Sequence, residues 1–535
     1  MKKYSVAYLP LIIGAALAAG LWLGGVLDFG GVGPQLAGSN ASKQKINRLI
    51  DYIDNHYVDE VNTDSIVDVT VSSIMKNLDP HSVYIPQSEV ERMADDMRGN
   101  FVGIGVSFFR ENDTMQVIKA LEGGPSRVAG IRGGDKILEA NGYRLYGSDI
   151  DNDSIGRILR GKAGTAVDLL VKRRNQEEPI AVSIVRGEVP ISSIAGSYMI
   201  EDGVGYIKVN RFAGTTYDDF DEALDKLVAQ GMDNLILDLR DNPGGYLDAA
   251  TEMVDEFLAD DKLIVYTRDK KGKEDRSYAT DDGDFKRGQV YVLLNENSAS
   301  ASEVVAGALQ DNDRGIIVGR RSYGKGLVQR EMKLGDGSAV RLTTSRYYTP
   351  TGRSIQRPYN LGDDESYEQD YLDRYENGEL RDAANIEVDD SLKFTTPGGR
   401  VVYGGGGITP DLFVPLDDKY ENQTINFIRR SGFAERFVYQ LVEDENFDFG
   451  AMDFQTFQDS YEVSTEMVSR FTTYCRAAGL DISFAAYMDE IKTILKSAVA
   501  DQLFNQNKAL EIMNRDDLMI NRVLDEIRES RAGRA

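Results

Sequence analysis

The sequence is short of cysteine, histidine and positive charge, and each shortage removes a class of chemistry. Its single cysteine, Cys475, excludes an intramolecular disulfide framework and every multi-cysteine zinc site. Its two histidines, His56 and His81, lie in the first sixth of the chain, so a Ser-His-Asp triad would have to use one of them and a polyhistidine metal centre is ruled out. Basic residues number 61 against 87 acidic ones, a net charge of −26, and a chain so charged repels phosphate backbones, which argues against a nucleic-acid partner. What is present is an ordinary globular mix, 41% hydrophobic and 28% charged, in 535 residues. At about 100–200 residues per domain, such a length implies a multidomain protein.

The chain begins with Lys2 and Lys3 and then carries no charge until Asp28. Residues 6–27 are mostly apolar and long enough to cross a hydrocarbon core of about 30 Å, which predicts a membrane helix. Positive charge before the run and none just after it places the N-terminus in the cytoplasm. A cleaved signal peptide is the alternative, because GAALAAG offers small residues. The run continues past those residues and no cysteine follows for lipid attachment, which favours an uncleaved anchor. Either reading exports residues 28–535, with the bulk of the chain in the periplasm of a bacterial envelope. Residues 28–42, rich in Gly, Ser and Asn, read as a linker.

Beyond the linker the pattern is multidomain α/β. Ile46, Ile50, Ile53 and Tyr57 recur at helical spacing and a second helix follows at 66–78, so 43–97 reads as a helical N-terminal region. LDPHS at 78–82 is a turn whose His81 is a candidate base, though a lone histidine in a turn is more often structural. Residues 98–188 read as a compact β-rich module, with strands at 101–109, 115–120, 136–140, 167–172 and 180–185, a hairpin at Asn141-Gly142 and a short helix at 154–159. Residues 189–422 alternate strand and helix, which argues for an open mixed sheet. Within them, 361–390 hold twelve acidic residues with Arg374 and Arg381, the pattern of a solvated surface insertion (about 357–402) rather than core. From 423 to 535 the pattern is helical, carries no motif, and is a candidate scaffold or homo-oligomer surface.

The order of elements in 98–188, with GIGV near the start and AGIRGGDKILEANG in the middle, resembles a PDZ domain, a small β-barrel-like fold. The resemblance implies capture of a peptide C-terminus. The loop Val102, Gly103, Ile104, Gly105 is suited to such capture. Its glycines let successive N–H groups turn toward a carboxylate, and the adjoining strand edge accepts the peptide as an added strand.

The chemistry concentrates after residue 290. VYVLL is a buried strand, NENSAS a turn of small polar residues, and a helix follows. A serine at that junction sits at a positive helix N-terminus, and the next backbone N–H can face a developing oxyanion. Ser300 and Glu303 also have capping-box spacing, so a plain helix cap competes with a nucleophile.

Taken together, LDPHSVYIP, the PDZ pattern, GYIKVNRF, LDLRDNPGG, SASASE, YGKGLVQ and YYTPTGRSIQ resemble the C-terminal processing (tail-specific) proteases, serine peptidases with a Ser-Lys pair and an inserted PDZ domain. The resemblance implies Ser300 as nucleophile, Lys325 as base 25 residues later, and Gln329 as its helper. The chemistry fits these residue types: histidine is scarce, a lysine can serve as base if its amine is neutral, and close packing of Lys325 between Gly324 and Gly326 and before Leu327 and Val328 would lower its pKa. Gln329 could hold that amine by a hydrogen bond without adding charge. It implies an oxyanion hole from Ala301 and either Gly244 or Gly245, and no metal or cofactor. Arg160, in LRGKAGT, matches a family motif at the PDZ edge that senses the protease site. The expected function is an exported serine endopeptidase that recognises apolar C-terminal tails of proteins. The alternative is a catalytically silent PDZ adaptor or chaperone of envelope proteins. The acidic insertion between Ile355 and Ile408 departs from the simpler family members.

Overall fold

A computed structural model describes residues 40–534 except 112, 148–149, 174–175, 418–422, 444–451, 481 and 483. The apolar run at 6–27, expected as a membrane helix, lies outside the described residues. Among the described residues no helix is long and apolar enough to cross a membrane.

The chain divides into two compact units at Ile74/Met75. The described part of the first holds the helix Asn40–His56 and most of Thr63–Lys76, where sequence periodicity places two helices.

In the second unit, the β-rich module is an antiparallel sheet in the order Val106–Glu111, Thr114–Ala120, Lys136–Ala140, Ala166–Lys172, Ile180–Val185. Alternation sets its core: Val167, Leu169 and Val171 point inward while Asp168 between them is exposed. Asn141 and Gly142 both take positive φ (50° and 76°), the turn that the right-handed strand twist selects. The module is closed at its neck by Asn100–Gly103 pairing with Gly187–Pro190, Gly103 opposite Gly187. Val106–Glu111 is the end strand of its sheet, so one of its edges is unpaired among the described residues.

The large sheet runs Ile194–Glu201, Val204–Val209, Asn234–Asp238, Gln289–Leu294, Gly315–Gly319, Leu412–Phe413. Its first pair is antiparallel and the rest are parallel, the open mixed sheet that the sequence predicts. Both faces are covered, which is why VYVLL and the Leu235–Leu237 centre of NLILD are apolar. Val290, Val292 and Leu294 pack on one side with Val305 and Leu309 of the helix Ala301–Asp311. Tyr291 and Leu293 pack on the other with Ile520, Val523 and Ile527 of the C-terminal helix Leu518–Arg534. At roughly 1.5–3 kcal/mol per fully buried aliphatic side chain, this two-sided burial anchors the sheet. A second, antiparallel sheet is organised by Ala339–Tyr348, which pairs with Val83–Ile85, Leu327–Lys333 and Leu263–Asp269. The remaining C-terminal helices form a core of their own around Phe437, Met467, Phe471, Ile491 and Leu495, with Cys475 buried inside it.

One expectation is corrected. The acidic insertion is not merely a solvated surface: its helix Asp364–Glu376 and the following turn bury Tyr367, Arg374, Glu379 and Leu380. Burial of the charged pair is tolerated because Arg374 Nε and Glu379 Oε1 meet at 3.1 Å.

Candidate active site

Ser300 follows the strand Gln289–Leu294 and caps the helix Ala301–Asp311, at the C-terminal end of a parallel strand where open α/β sheets place their sites. Its backbone is strained, with φ 54° and ψ −115° in a non-glycine residue. The turn sorts its three serines. Ser298 is fully buried and donates its hydroxyl to Leu239 O (2.8 Å); Ser302 is fully buried and donates to Asn242 O (3.0 Å). Ser300 alone is part-exposed.

Glu303 serves as a cap and as something more. Its Oε2 accepts from Ser300 N–H (2.8 Å) and from Lys325 N–H (2.8 Å); its Oε1 accepts from Gly324 N–H (2.7 Å) and from the Ser322 hydroxyl. Burial pushes this carboxyl up to about 7, against the lowering effect of those donors. A second tie comes from Tyr347, whose hydroxyl lies 2.7 Å from Lys325 O and 3.2 Å from Ser300 O.

Lys325 is largely buried. Burial holds its amine below the ordinary lysine value, Arg341 adds to the effect, and the Glu303 and Asp79 carboxylates oppose it. No hydrogen bond joins the Ser300 hydroxyl to the Lys325 amine among the described residues; what the two share is their backbone anchorage. Gln329, in the strand Leu327–Lys333, donates its amide to Leu327 O (3.3 Å) and Thr343 Oγ1 (3.4 Å), and Thr343 Oγ1 donates to Asp79 Oδ1 (2.9 Å). His81 sits beside this chain with Nε2 3.2 Å from Tyr367 Oη. Burial, then the nearby Lys325 charge, lowers its pKa to about 4, so its ring is neutral at neutral pH.

The loop after Asn234–Asp238 closes on the turn that carries Ser300. Buried Asn242 accepts Gly244 N–H at Oδ1 (2.8 Å), while its carbonyl accepts Ala299 N–H (3.0 Å) and the Ser302 hydroxyl. A Cβ on Gly244 (φ 95°) would stand 2.7 Å from Ser300 Cβ, so this close approach requires glycine. Gly244 N–H is therefore occupied by Asn242, whereas Gly245 N–H and Ala301 N–H have no partner among the described residues.

In the β-rich module, Ile104 O accepts Ser126 N–H (2.8 Å) and Gly105 O accepts Leu121 N–H (3.0 Å). The N–H groups of Ile104 and Gly105 have no partner among the described residues, and Gly105 has φ 76°. Arg160 stacks over Phe101 at 4.8 Å and approaches Asp95 at 3.6 Å.

Sequence reasoning names Ser300, Lys325, Gln329, Ala301 and the two glycines, and all lie in or beside this region. It misses Tyr347 and Asn242, whose roles arise from contacts across the fold, and it reads Glu303 only as a cap.

Comparison with known proteins shows which families the chain resembles. Residues 203–364 match peptidase family S41, 102–184 match the PDZ domain, and 424–505 match a family of unknown function. The chain is 34% identical over 324 residues to the carboxy-terminal-processing protease of Bartonella bacilliformis, covering 59% of this chain and 74% of that one. It is 31% identical over 363 residues to the carboxy-terminal processing protease CtpB of Bacillus subtilis, covering 64% and 75%. Among solved structures, the photosystem II D1 C-terminal processing protease aligns over 70% of this chain and 87% of its own, with 23% identity and a TM-score of 0.36.

Proposed function

Because this chain belongs to the carboxy-terminal processing proteases of peptidase family S41, serine-type peptidases, and carries a PDZ domain, we propose that it cleaves peptide bonds with Ser300 as nucleophile and Lys325 as base. The observation that carries the reading is the shared anchorage of Ser300 and Lys325 on Glu303 Oε2.

Ser300 Oγ attacks the scissile carbonyl carbon while its proton passes to the neutral amine of Lys325. The carbonyl oxygen, now an oxyanion, is held by Ala301 N–H and Gly245 N–H; the N–H of Gly244 is already occupied, which favours its neighbour as the donor. The tetrahedral intermediate collapses, the C–N bond breaks, and Lys325 returns the proton to the leaving amine. Water, deprotonated by the same lysine, then hydrolyses the acyl-enzyme. Gln329 orients the amine, and as a neutral residue it does not hold the lysine protonated.

The PDZ loop of Val102, Gly103, Ile104 and Gly105 receives the carboxylate of an apolar protein tail, and the open edge of Val106–Glu111 takes the tail as an added strand. The protein is exported and anchored by residues 6–27, with its bulk in the periplasm. The reading is tested by digesting an unfolded, apolar-tailed protein with the wild type and with Ser300→Ala. Cleavage by the wild type alone is expected, and equal cleavage by both would remove Ser300 from the role.

A further inference from the structure

The insertion helix Asp364–Glu376 touches both halves of the active site. On the nucleophile side, the Tyr371 hydroxyl donates to Asn297 Oδ1 at 2.7 Å, three residues before Ser300. Asn297 Nδ2 in turn donates to Asp241 Oδ1 (2.8 Å), at the start of the loop that carries Gly245. On the base side, Arg374 donates from Nη1 and Nη2 to Ser322 O (3.1 Å each) and from Nη2 to Arg321 O (2.9 Å). Ser322 lies three residues before Lys325, and its hydroxyl is one of the donors on Glu303.

These contacts are built deep. Arg374 is only 3% exposed, and Glu379, which pairs with it, also binds Arg321. Between the two anchor points the rings of Tyr323 and Tyr371 lie 6.0 Å apart, and Arg357 stacks over Tyr323 (4.5 Å) and over Tyr367 of the same helix (3.9 Å). A buried guanidinium is tolerated only where its donors are satisfied, and here two of the acceptors are backbone carbonyls of the segment that presents the base. Fixing those carbonyls fixes the path of the chain into Lys325. A misplacement of about 1 Å between reacting groups can lower a rate roughly a hundredfold, so such a fixture bears directly on turnover.

We propose that the insertion helix is a built-in clamp on the catalytic pair, with Tyr371 and Arg374 as positioning residues: Tyr371 holds the turn that presents Ser300, and Arg374 holds the segment that presents Lys325. The inference rests on the Ser300–Lys325 reading above.

The test is steady-state cleavage of a tailed substrate by the full chain carrying Tyr371→Phe, Arg374→Lys or Arg374→Met, beside Ser300→Ala. Tyr371→Phe, which removes one oxygen atom, lowers kcat roughly tenfold with KM within about twofold; Arg374→Met lowers it about a hundredfold, and Arg374→Lys falls between. The acid limb of kcat moves to higher pH in the Arg374 variants, because a loosened segment admits water to Lys325, which Glu303, Asp79, Arg341 and His81 surround. The clamp is overturned if Ser300→Ala is inactive while Tyr371→Phe and Arg374→Lys keep wild-type kcat and pH profile, even with a lower melting temperature, or if KM alone rises. Cleavage by Ser300→Ala at the wild-type rate overturns the dyad reading, and the clamp with it.

Discussion

Ser300 and Lys325 place their backbone N–H groups on the same atom, Oε2 of Glu303, each at 2.8 Å. The Ser300 turn and the Lys325 segment are thereby registered through one buried carboxyl, with Tyr347 as a second bridge between their carbonyls. Among the described residues the relative position of Ser300 and Lys325 is thus set by main chain rather than by a contact between their side chains.

Replacing Glu303 with Gln puts an amide N–H₂ where an acceptor is needed, and at least one of its donors loses its partner. Glu303→Gln is expected to cost about 2 kcal/mol of stability and to lower kcat more than tenfold. The pH dependence of unfolding gives a second readout. The carboxyl titrates near 7 in the folded protein against an ordinary 4.5, so the native state binds more protons between those values. Its contribution to stability is full below about 4.5 and is lost as pH rises through 7, by about 3 kcal/mol. Urea titrations across that window should show this slope in the wild type and lack it in Glu303→Gln.

In its proposed role as base, Lys325 must be neutral to accept a proton. Its pKa is lowered chiefly by burial, so kcat should rise with pH along a limb centred below the ordinary lysine value of 10.5. Lys325→Arg should be as inactive as Lys325→Ala, because a guanidinium stays protonated. A flat profile from mildly acidic to alkaline pH, or wild-type turnover by the arginine variant, would show that the residue supplies only charge.

The strained backbone at Ser300 predicts a trade between stability and activity. Ser300→Gly removes the Cβ from a positive-φ position and should raise stability by about 1 kcal/mol relative to Ser300→Ala, with both variants inactive. Thermal or denaturant melts of the two variants give the comparison directly, and equal stabilities would mean that the conformation carries no strain.

Tail capture should be far more sensitive at Gly105 than at Gly103. Gly105 has φ 76°, and a Cβ there would meet Gly124 Cα at 3.0 Å; Gly103 has no positive φ, and its Cβ would meet the Phe101 ring. Gly105→Val should raise KM for a tailed substrate at least tenfold while leaving kcat nearly intact, and amidating the substrate's C-terminus should mimic it. An amidated tail bound and cut as well as a free one would place selection outside this loop.

The sequence pattern reveals what periodicity and local chemistry encode. The strands at 136–140 and 180–185 and the Asn141-Gly142 turn fall where alternation and turn residues put them, and so does the helix after Ser300. The strand–turn–helix around Ser300 is legible because a buried apolar run ends in small polar residues. The insertion is not, because Tyr367, Arg374 and Glu379 are buried by pairing and stacking, and a one-dimensional charge pattern cannot separate a paired buried arginine from a solvated one. Tyr347 and Asn242 escape notice for a related reason: the contacts that tie Tyr347 to Lys325 and Asn242 to Val209 and Ser302 cross 22, 33 and 60 residues of sequence, and nothing local marks them.

Asn242 has a consequence for anyone who would rebuild this enzyme. Its side chain holds Gly244 within the 242–245 loop, and its backbone carbonyl holds Ala299 and Ser302, so the loop and the serine turn interlock at one buried residue. They form a single graftable cassette: a loop imported from another protein without its matching turn would arrive with the wrong hydrogen-bond sockets. Exchange of specificity between relatives should succeed when both segments travel together and fail when either travels alone.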